Sequence, residues 1–394
     1  MSWSAISPSN IALIKYMGKM ASASNQSSEE TLSEQTTVQK KASVNSLQTD
    51  QLQKAPETTF SQYLHIPIDF GSHLSKSDEE ILWFQNLALH PNMSYTLKHF
   101  VTKVQIEKSH YKDSWKPFEE DPFINKKLYH SSKPIHLDLS LSQSEQKKFL
   151  DFFQLLKRFF LIPGYYTISS QNNFPKAIGS ASSASSFSAL ALAAYRLAKE
   201  KSSLTTDKFK SIKAQELAHL SRVGSGSSCR SLFAPWCLWE GYKIHSFECS
   251  WNHLLHQFII VSDKDKKISS TIAHQRVKTS PLFTQRVNRA NKRLLALKAA
   301  LNLEDWRNCF QICYEEFLDI HSLFESSKPP FSYKTEGTQK VLNCIVNFWK
   351  KYQDGPLITM DAGSNVHLLY RKDQKKDRDE ISQQLSEFIV LSSP

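Results

Sequence analysis

Nowhere does this sequence run through the roughly 18 to 20 uninterrupted apolar residues that a membrane-spanning helix needs, so a transmembrane helix is not expected. The start, MSWSAISPSNIALIKYMGKM, has no basic lead followed by a long apolar block, which argues against a secretory leader and for a soluble cytoplasmic chain. Six cysteines fall at positions 229, 237, 249, 309, 313 and 344 without a single CxxC pair. Buried, reduced thiols are therefore expected, not a disulfide framework or a zinc site. The GxxxxGK[ST] phosphate loop is missing as well. The 49 Lys and Arg exceed the 38 Asp and Glu, a net charge of +11, yet the lysines lie in short scattered groups. Dispersed lysines form a solvated face or serve a polyanionic small molecule; nucleic acid is not the expected partner.

What is present is enough apolar material for two cores: 394 residues, 40% hydrophobic, with 24 Phe, 13 Tyr and 8 Trp. Residues 20–56 contain no aromatic side chain and are rich in Ser, Gln, Thr and Glu, and so read as a mobile insertion, with order resuming over 58–68. Hydrophobic periodicity predicts helices at 143–160, 185–201, 206–222, 281–302, 305–322, 335–353 and 377–389. Strands are expected at 3–16 (with a turn at Pro8 and Ser9), 94–98, 136–141, 165–170, 232–239, 258–262, 357–360 and 366–371. Strands followed by paired helices give an α+β class with two lobes.

Four segments carry chemistry. Residues 172–189, NNFPKAIGSASSASSFSA, hold six serines and four alanines and open onto a helix. So little bulk lets backbone amides reach a phosphate at the positive end of the helix dipole, though such a run also serves as a flexible connector. Residues 10–19, NIALIKYMGK, place Lys15 and Lys19 just after a strand, where lysines also simply snorkel. In 221–231, SRVGSGSSCRS, glycines permit close approach, Ser225 and Ser227 offer hydroxyls, and Arg230 ends the loop with a planar fork suited to a carboxylate or phosphate. In 357–369, LITMDAGSNVHLL, Asp361 is the single acid at the mouth of an apolar strand; it caps a turn, pairs with a cation or titrates high.

Together and in this order, NIALIKYMGK, NNFPKAIGSASSAS, GSGSSCRS and MDAGSN resemble the diphosphomevalonate decarboxylases of the GHMP kinase superfamily, with lesser matches at 269–281 and 328–333. The resemblance implies a two-lobed GHMP kinase fold: a ribosomal-protein-S5-like N-terminal lobe over 1–242, a ferredoxin-like α/β sandwich over 243–394, and an active site in the cleft between them. It implies ATP-dependent conversion of (R)-5-diphosphomevalonate to isopentenyl diphosphate with release of ADP, phosphate and CO2, Mg2+ as cofactor, and a homodimer. Asp361, Lys15 and Arg230 then occupy catalytic positions. Tyr16, Lys19, Ser225, Gly226 and Ser227 would contact substrate together with Arg230. Asn172, Pro175, Gly179, Ser180, Ala181, Ser182, Ser183 and Ser185 would surround ATP, with Ser182 and Ser183 nearest Mg2+. Departures from the family pattern fall at Met17, Met20, Ser180, Pro235, Trp236 and Ser364; all spare the Lys, Arg and Asp. A mevalonate 3-kinase or a phosphomevalonate decarboxylase of the same fold is the first alternative, and a non-catalytic or nucleic-acid-binding relative the second.

Overall fold

The computed structural model describes residues 2–19, 74–119, 130–133, 141–175, 182–201, 212–262 and 267–394. The expected insertion at 20–56, the ordered stretch at 58–68, nearly all of the strand at 136–141 and the start of the helix at 206–222 lie outside them. In chain order the elements are β1 (Ser2–Ile14), α1 (Lys76–Phe84), β2 (Asn92–Ser109), β3 (Ser114–Pro117), β4 (His130–Ser131), α2 (Gln143–Phe160), β5 (Tyr165–Asn172), α3 (Ser182–Lys201) and α4 (Ala214–Gly224). A 3-10 segment, Gly226–Leu232, leads to β6 (Trp236–Glu240), β7 (Lys243–Phe247), β8 (Leu255–Ile260) and α5 (Ser270–Arg276). The remainder is α6 (Arg286–Asn302), α7 (Trp306–Glu325), α8 (Glu336–Tyr352), β9 (Leu357–Thr359), β10 (Val366–Tyr370), α9 (Lys375–Gln384) and β11 (Ile389–Ser392).

Two sheets organise these elements. The first runs β3-β5-β2-β6-β7, with β1 antiparallel to the long β2; the second runs β4-β11-β8-β10-β9. The change of sheet falls between Phe247 and Leu255, so β7 belongs with the first sheet although the expected boundary at 242/243 cuts its hairpin. Pro8 and Ser9 do not turn the chain. They sit at a register shift within one continuous strand, where a proline without an N–H is accommodated by an irregular ladder. At the other end, the expected helix at 377–389 stops at Gln384. The apolar Ile389–Ser392 becomes β11, paired with both β8 and β4, because that run fills a sheet position no helix could.

Local chemistry explains the helices that frame the site. α2 starts at a capping box, Ser142 with Glu145, and turns Phe149, Phe152, Phe153, Leu156, Phe159 and Phe160 inward at helical spacing. α3 is walled by Ala184, Ala189, Ala191, Ala193 and Ala194, small enough to let it lie close on β1 and β2. The core of the first lobe is built on α2, α3 and the sheet. The core of the second also takes in Ile11, Leu13 and Ile14 of β1 and Met93, Tyr95 and Leu97 of β2. The far end of β1 is thus packed into the C-terminal lobe, and the Thr359 hydroxyl donates to the Ala12 carbonyl at 2.9 Å. That seam places residues 15–19 against the loop after β9.

Candidate active site

Lys15 leaves β1 and meets Asp361, which leaves β9, with Nζ 2.9 Å from Oδ1. Burial disfavours the Lys15 ammonium and lowers its pKa, opposed by the Asp361 charge. Burial pushes the Asp361 carboxyl up, but the charge and hydrogen bond of Lys15 outweigh it, so the carboxyl titrates below its usual range. Of the three outcomes left open for Asp361, pairing with a cation is the one realised. Arg230 is buried, its Nε donating to Asn10 Oδ1 at 3.1 Å and its Nη1 to Asn92 Oδ1 at 2.8 Å. Two amides hold the fork without neutralising it, and the guanidinium acts electrostatically on both Lys15 and Asp361. The acid, the amine and the guanidinium therefore converge, although 346 positions separate the first two in the chain.

Around this trio sit the other expected contacts. The stretch read as a loop at 221–231 is instead the last turn of α4 followed by the 3-10 turn, which Asn10 ties to β1, its Nδ2 donating to Ser227 O at 3.0 Å and Ser231 Oγ at 2.8 Å. Gly226 lies under the Tyr16 ring; a Cβ there would stand 2.5 Å from Tyr16 Cε1. Tyr16 donates its hydroxyl to Asn86 O at 3.0 Å and packs on Trp239 and His274. Lys19 donates to Asn86 Oδ1 at 2.6 Å, and burial together with nearby Lys148 brings its pKa down to about 8. Burial holds the His274 pKa near 3, so this ring is neutral, with Nδ1 accepting from the Gly18 N–H at 3.2 Å.

The expected ATP positions divide. Gly179, Ser180 and Ala181 lie outside the described residues. Ser182 and Ser183 open α3, and the Ser225 hydroxyl donates to Ser183 Oγ at 3.2 Å, linking the start of α3 to the residue before the 3-10 turn. Ser185 differs from expectation. It is fully buried, with its hydroxyl 2.6 Å from Thr102 Oγ1, which in turn donates to Asn172 Oδ1 at 2.6 Å. Ser185 and Asn172 are therefore joined through Thr102, and Pro175 is likewise buried. No group of three or more His, Cys, Asp or Glu able to hold a metal occurs among the described residues, and all six cysteines are free.

Sequence reasoning missed the residues that hold the candidate side chains. Asn10 and Asn92 anchor Arg230, Asn86 anchors Tyr16 and Lys19, and a buried cluster of Glu316, Arg286 and Asp319 backs Lys15. One signal was legible: on α7, Glu316 falls at the helical spacing of Ile312, Cys313, Phe317 and Ile320, an acid where periodicity demands an apolar residue.

This architecture, two lobes joined through the end of β1 with a Ser/Ala segment opening a helix at the seam, defines a GHMP-type fold. Two family models match it: the diphosphomevalonate decarboxylase-like N-terminal domain over residues 76–247 and the mevalonate 5-diphosphate decarboxylase C-terminal domain over 257–392. A mevalonate diphosphate decarboxylase structure from Legionella pneumophila is 35% identical with TM-score 0.73, covering 99% of this chain and 100% of that one. The chain belongs to the mevalonate diphosphate decarboxylase family. The Staphylococcus aureus structure, at 21% identity and TM-score 0.70, covers 100% of this chain and 95% of that one and shares the fold. Matches to curated relatives are shorter. The diphosphomevalonate decarboxylase of Ganoderma lucidum is 30% identical over 227 residues, 53% of this chain and 54% of its own length. That of Saccharomyces cerevisiae is 30% identical over 216 residues, 52% of each. The chain thus spans about half the length of the curated relatives it matches.

Proposed function

We propose that this protein uses ATP to phosphorylate the 3-hydroxyl of (R)-5-diphosphomevalonate and then expels phosphate and CO2, giving isopentenyl diphosphate and ADP. The observation that carries this reading is the Lys15–Asp361 pair, 2.9 Å long, with the Arg230 fork within electrostatic reach of both. A tertiary hydroxyl is a hindered nucleophile, so a carboxylate in hydrogen-bond reach must take or orient its proton. Asp361 is ionised well below neutral pH and suits that task. Lys15 keeps it so and offsets charge on the transferring phosphoryl group. Arg230, fixed through Nε and Nη1, would engage the substrate carboxylate with its remaining donors until CO2 leaves. A simple kinase has no need to organise that carboxylate, which favours decarboxylation over phosphorylation alone. Lys19, Tyr16, Ser225 and Ser227 would face the substrate's remaining oxygens.

Mevalonate diphosphate decarboxylases of known structure support the choice of ligands. One from Enterococcus faecalis, which shares the fold at 21% identity, is described as binding ATP in a mevalonate-diphosphate-mediated way, and a complex carries MVAPP, AMPPCP and magnesium. Mg2+ would accompany the nucleotide phosphates, with the Ser182 and Ser183 hydroxyls at the start of α3 as the protein oxygens nearest it. Bound there it would neutralise phosphate charge. The family also suggests a cytoplasmic homodimer, to be checked by light scattering after size exclusion; no described helix is long and apolar enough to cross a membrane.

An ADP-release assay with diphosphomevalonate, phosphomevalonate and mevalonate side by side, with CO2 measured in parallel, tests the reading. Equal ADP and CO2 from the diphosphate alone is the expected result. ADP without CO2 would reduce the protein to a 3-kinase, and preference for the monophosphate would reassign the substrate.

A further inference from the structure

The proposed reaction uses the Lys15 ammonium, while the Lys15 peptide is gripped separately. Its N–H donates to Glu316 Oε1 at 2.9 Å, and its carbonyl accepts from Arg286 Nη2 at 3.2 Å. Glu316 and Arg286 are fully buried and hydrogen-bonded to each other, Arg286 Nη1 reaching Glu316 Oε2 at 2.9 Å. Glu316 sits on α7 and Arg286 opens α6, both in the C-terminal lobe, whereas Lys15 ends a strand of the first sheet. Asp319 continues the cluster, taking Arg286 Nη1 at 2.7 Å and Arg289 Nε at 2.7 Å without touching Lys15. Arg293 closes it with Nη1 3.1 Å from both acids.

We propose that the Glu316–Arg286 pair is a positioning device: two buried charges on the C-terminal lobe clamp the peptide of Lys15 and so hold its ammonium opposite Asp361. A buried ion pair is often no more stabilising than apolar residues of the same volume, so stability alone gives no reason to keep these charges here. With Glu316 accepting from its N–H and Arg286 donating to its C=O, the two peptide planes that flank the Lys15 Cα are held together by one ion pair. With the strand end fixed, the buried Lys15 side chain starts from a set position and direction, from which Nζ reaches Oδ1. The groups facing Lys15 are Asp361, Arg230 and Glu316, with Cys313 and His321 of α7 also within its field. Those facing Asp361 are Lys15, His367 and Arg230. His90 lies in the field of Arg286 and Glu316, and burial keeps it neutral with a pKa of about 4.

The inference rests on Lys15 and Asp361 being the reacting pair, and the test separates the two claims. Full-length wild type, E316Q, R286K and D319N are compared by ADP release across pH and by the 13C shift of the Asp361 carboxyl during titration of the ligand-free protein. E316Q loses the anion that seats Arg286, and R286K keeps the cation but cannot bridge Glu316 and the Lys15 carbonyl with one fork. Each is expected to lower kcat about ten- to a hundredfold with a smaller change in KM, the size expected when a reacting group is misplaced by about 1 Å. Each should also raise the pH at which the Asp361 carboxyl titrates, since its partner is displaced. D319N removes a charge from the same cluster but leaves the clamp; it should lower the melting temperature and leave the Asp361 titration in place. An unmoved titration in a folded E316Q or R286K, or an equal shift in D319N, overturns the proposal. If one of the clamp variants does not fold, the other decides. Absence of turnover in wild type would defeat the proposed reaction, whereas the carboxyl titration would still judge the clamp.

Discussion

Two lysines four positions apart leave the same strand and end in opposite circumstances. Lys15 meets a carboxylate at 2.9 Å and has its peptide pinned by a buried ion pair. Lys19 meets only a neutral amide oxygen, Asn86 Oδ1 at 2.6 Å, and shares its surroundings with another cation, Lys148; among the described residues no carboxylate lies in ion-pair range of it. A cation already matched by a protein anion is equipped to tune that anion. A half-buried cation beside another of like sign is an electrostatic cost to the empty protein that an anionic ligand relieves. In the proposed reaction the first would serve the chemistry and the second affinity, so substitutions at the two ends should separate kcat from KM.

The largest expected effect falls at the matched end. In Asp361→Asn the side chain stays near isosteric but loses its charge and its proton affinity, so kcat should fall by roughly 100- to 10,000-fold while KM moves little. Steady-state kinetics with an intact circular dichroism spectrum check this; near-wild-type kcat would remove Asp361 from the reaction and erase the contrast between the lysines. Next comes Arg230→Lys. An ammonium cannot bridge Asn10 and Asn92 while presenting further donors, so kcat/KM should drop on the order of tenfold to a hundredfold, with ADP release outrunning CO2 release if carboxylate handling is what fails. Unchanged kinetics would show that the guanidinium is not engaged.

How much of this was legible in the sequence depended on whether a residue's neighbours were local. α2 could be read to its ends because a capping residue, an acid three positions later and a phenylalanine stripe all lie within one segment. The identities of Lys15, Arg230 and Asp361 came from short motifs, and their meeting came with the resemblance to a known family. The side chains that hold these three in place were hidden. Asn10 holds Arg230 across 220 positions and Glu316 holds the Lys15 peptide across 301, and no local pattern encodes such pairings. Only the misfit of Glu316 on an apolar face betrayed itself. Ser185 misled for the converse reason: it belongs to the small-residue run by composition, but helical rotation turns it toward Thr102 in the core.

The unmatched end gives a pH signature. The Lys19 pKa is lowered to about 8, so the ammonium is charged below that pH and is lost as pH rises through it. The KM for the diphosphate substrate should therefore climb above about pH 8, and kcat/KM, which reports the free protein, should carry that limb. Losing one charged contact of this kind is worth about 1.5 kcal/mol, roughly tenfold in KM. Lys19→Met should show the raised KM at all pH values and no such limb. Persistence of the limb in that variant would assign it elsewhere and leave Lys19 as a plain surface lysine.

The smallest effect should come from Gly226→Ala, which tests how the two ends are joined. Gly226 sits where a Cβ would approach Tyr16 Cε1 to 2.5 Å and its hydroxyl to 2.7 Å, so the ring must move. Tyr16 lies between the two lysines in sequence, and its ring is confined by Trp239 at 5.1 Å and His274 at 4.7 Å between centroids. A displaced ring would break its bond to Asn86 O, the same residue whose amide oxygen holds Lys19. Overpacking of this kind costs about 1 to 3 kcal/mol of stability, seen as a lower melting temperature. KM should rise a few-fold through Lys19 while kcat stays close to wild type, because Lys15 is held from the opposite side by Glu316 and Arg286. If kcat fell as far as KM rose, the two lysines would be mechanically coupled through Tyr16, and the division of labour between them would fail.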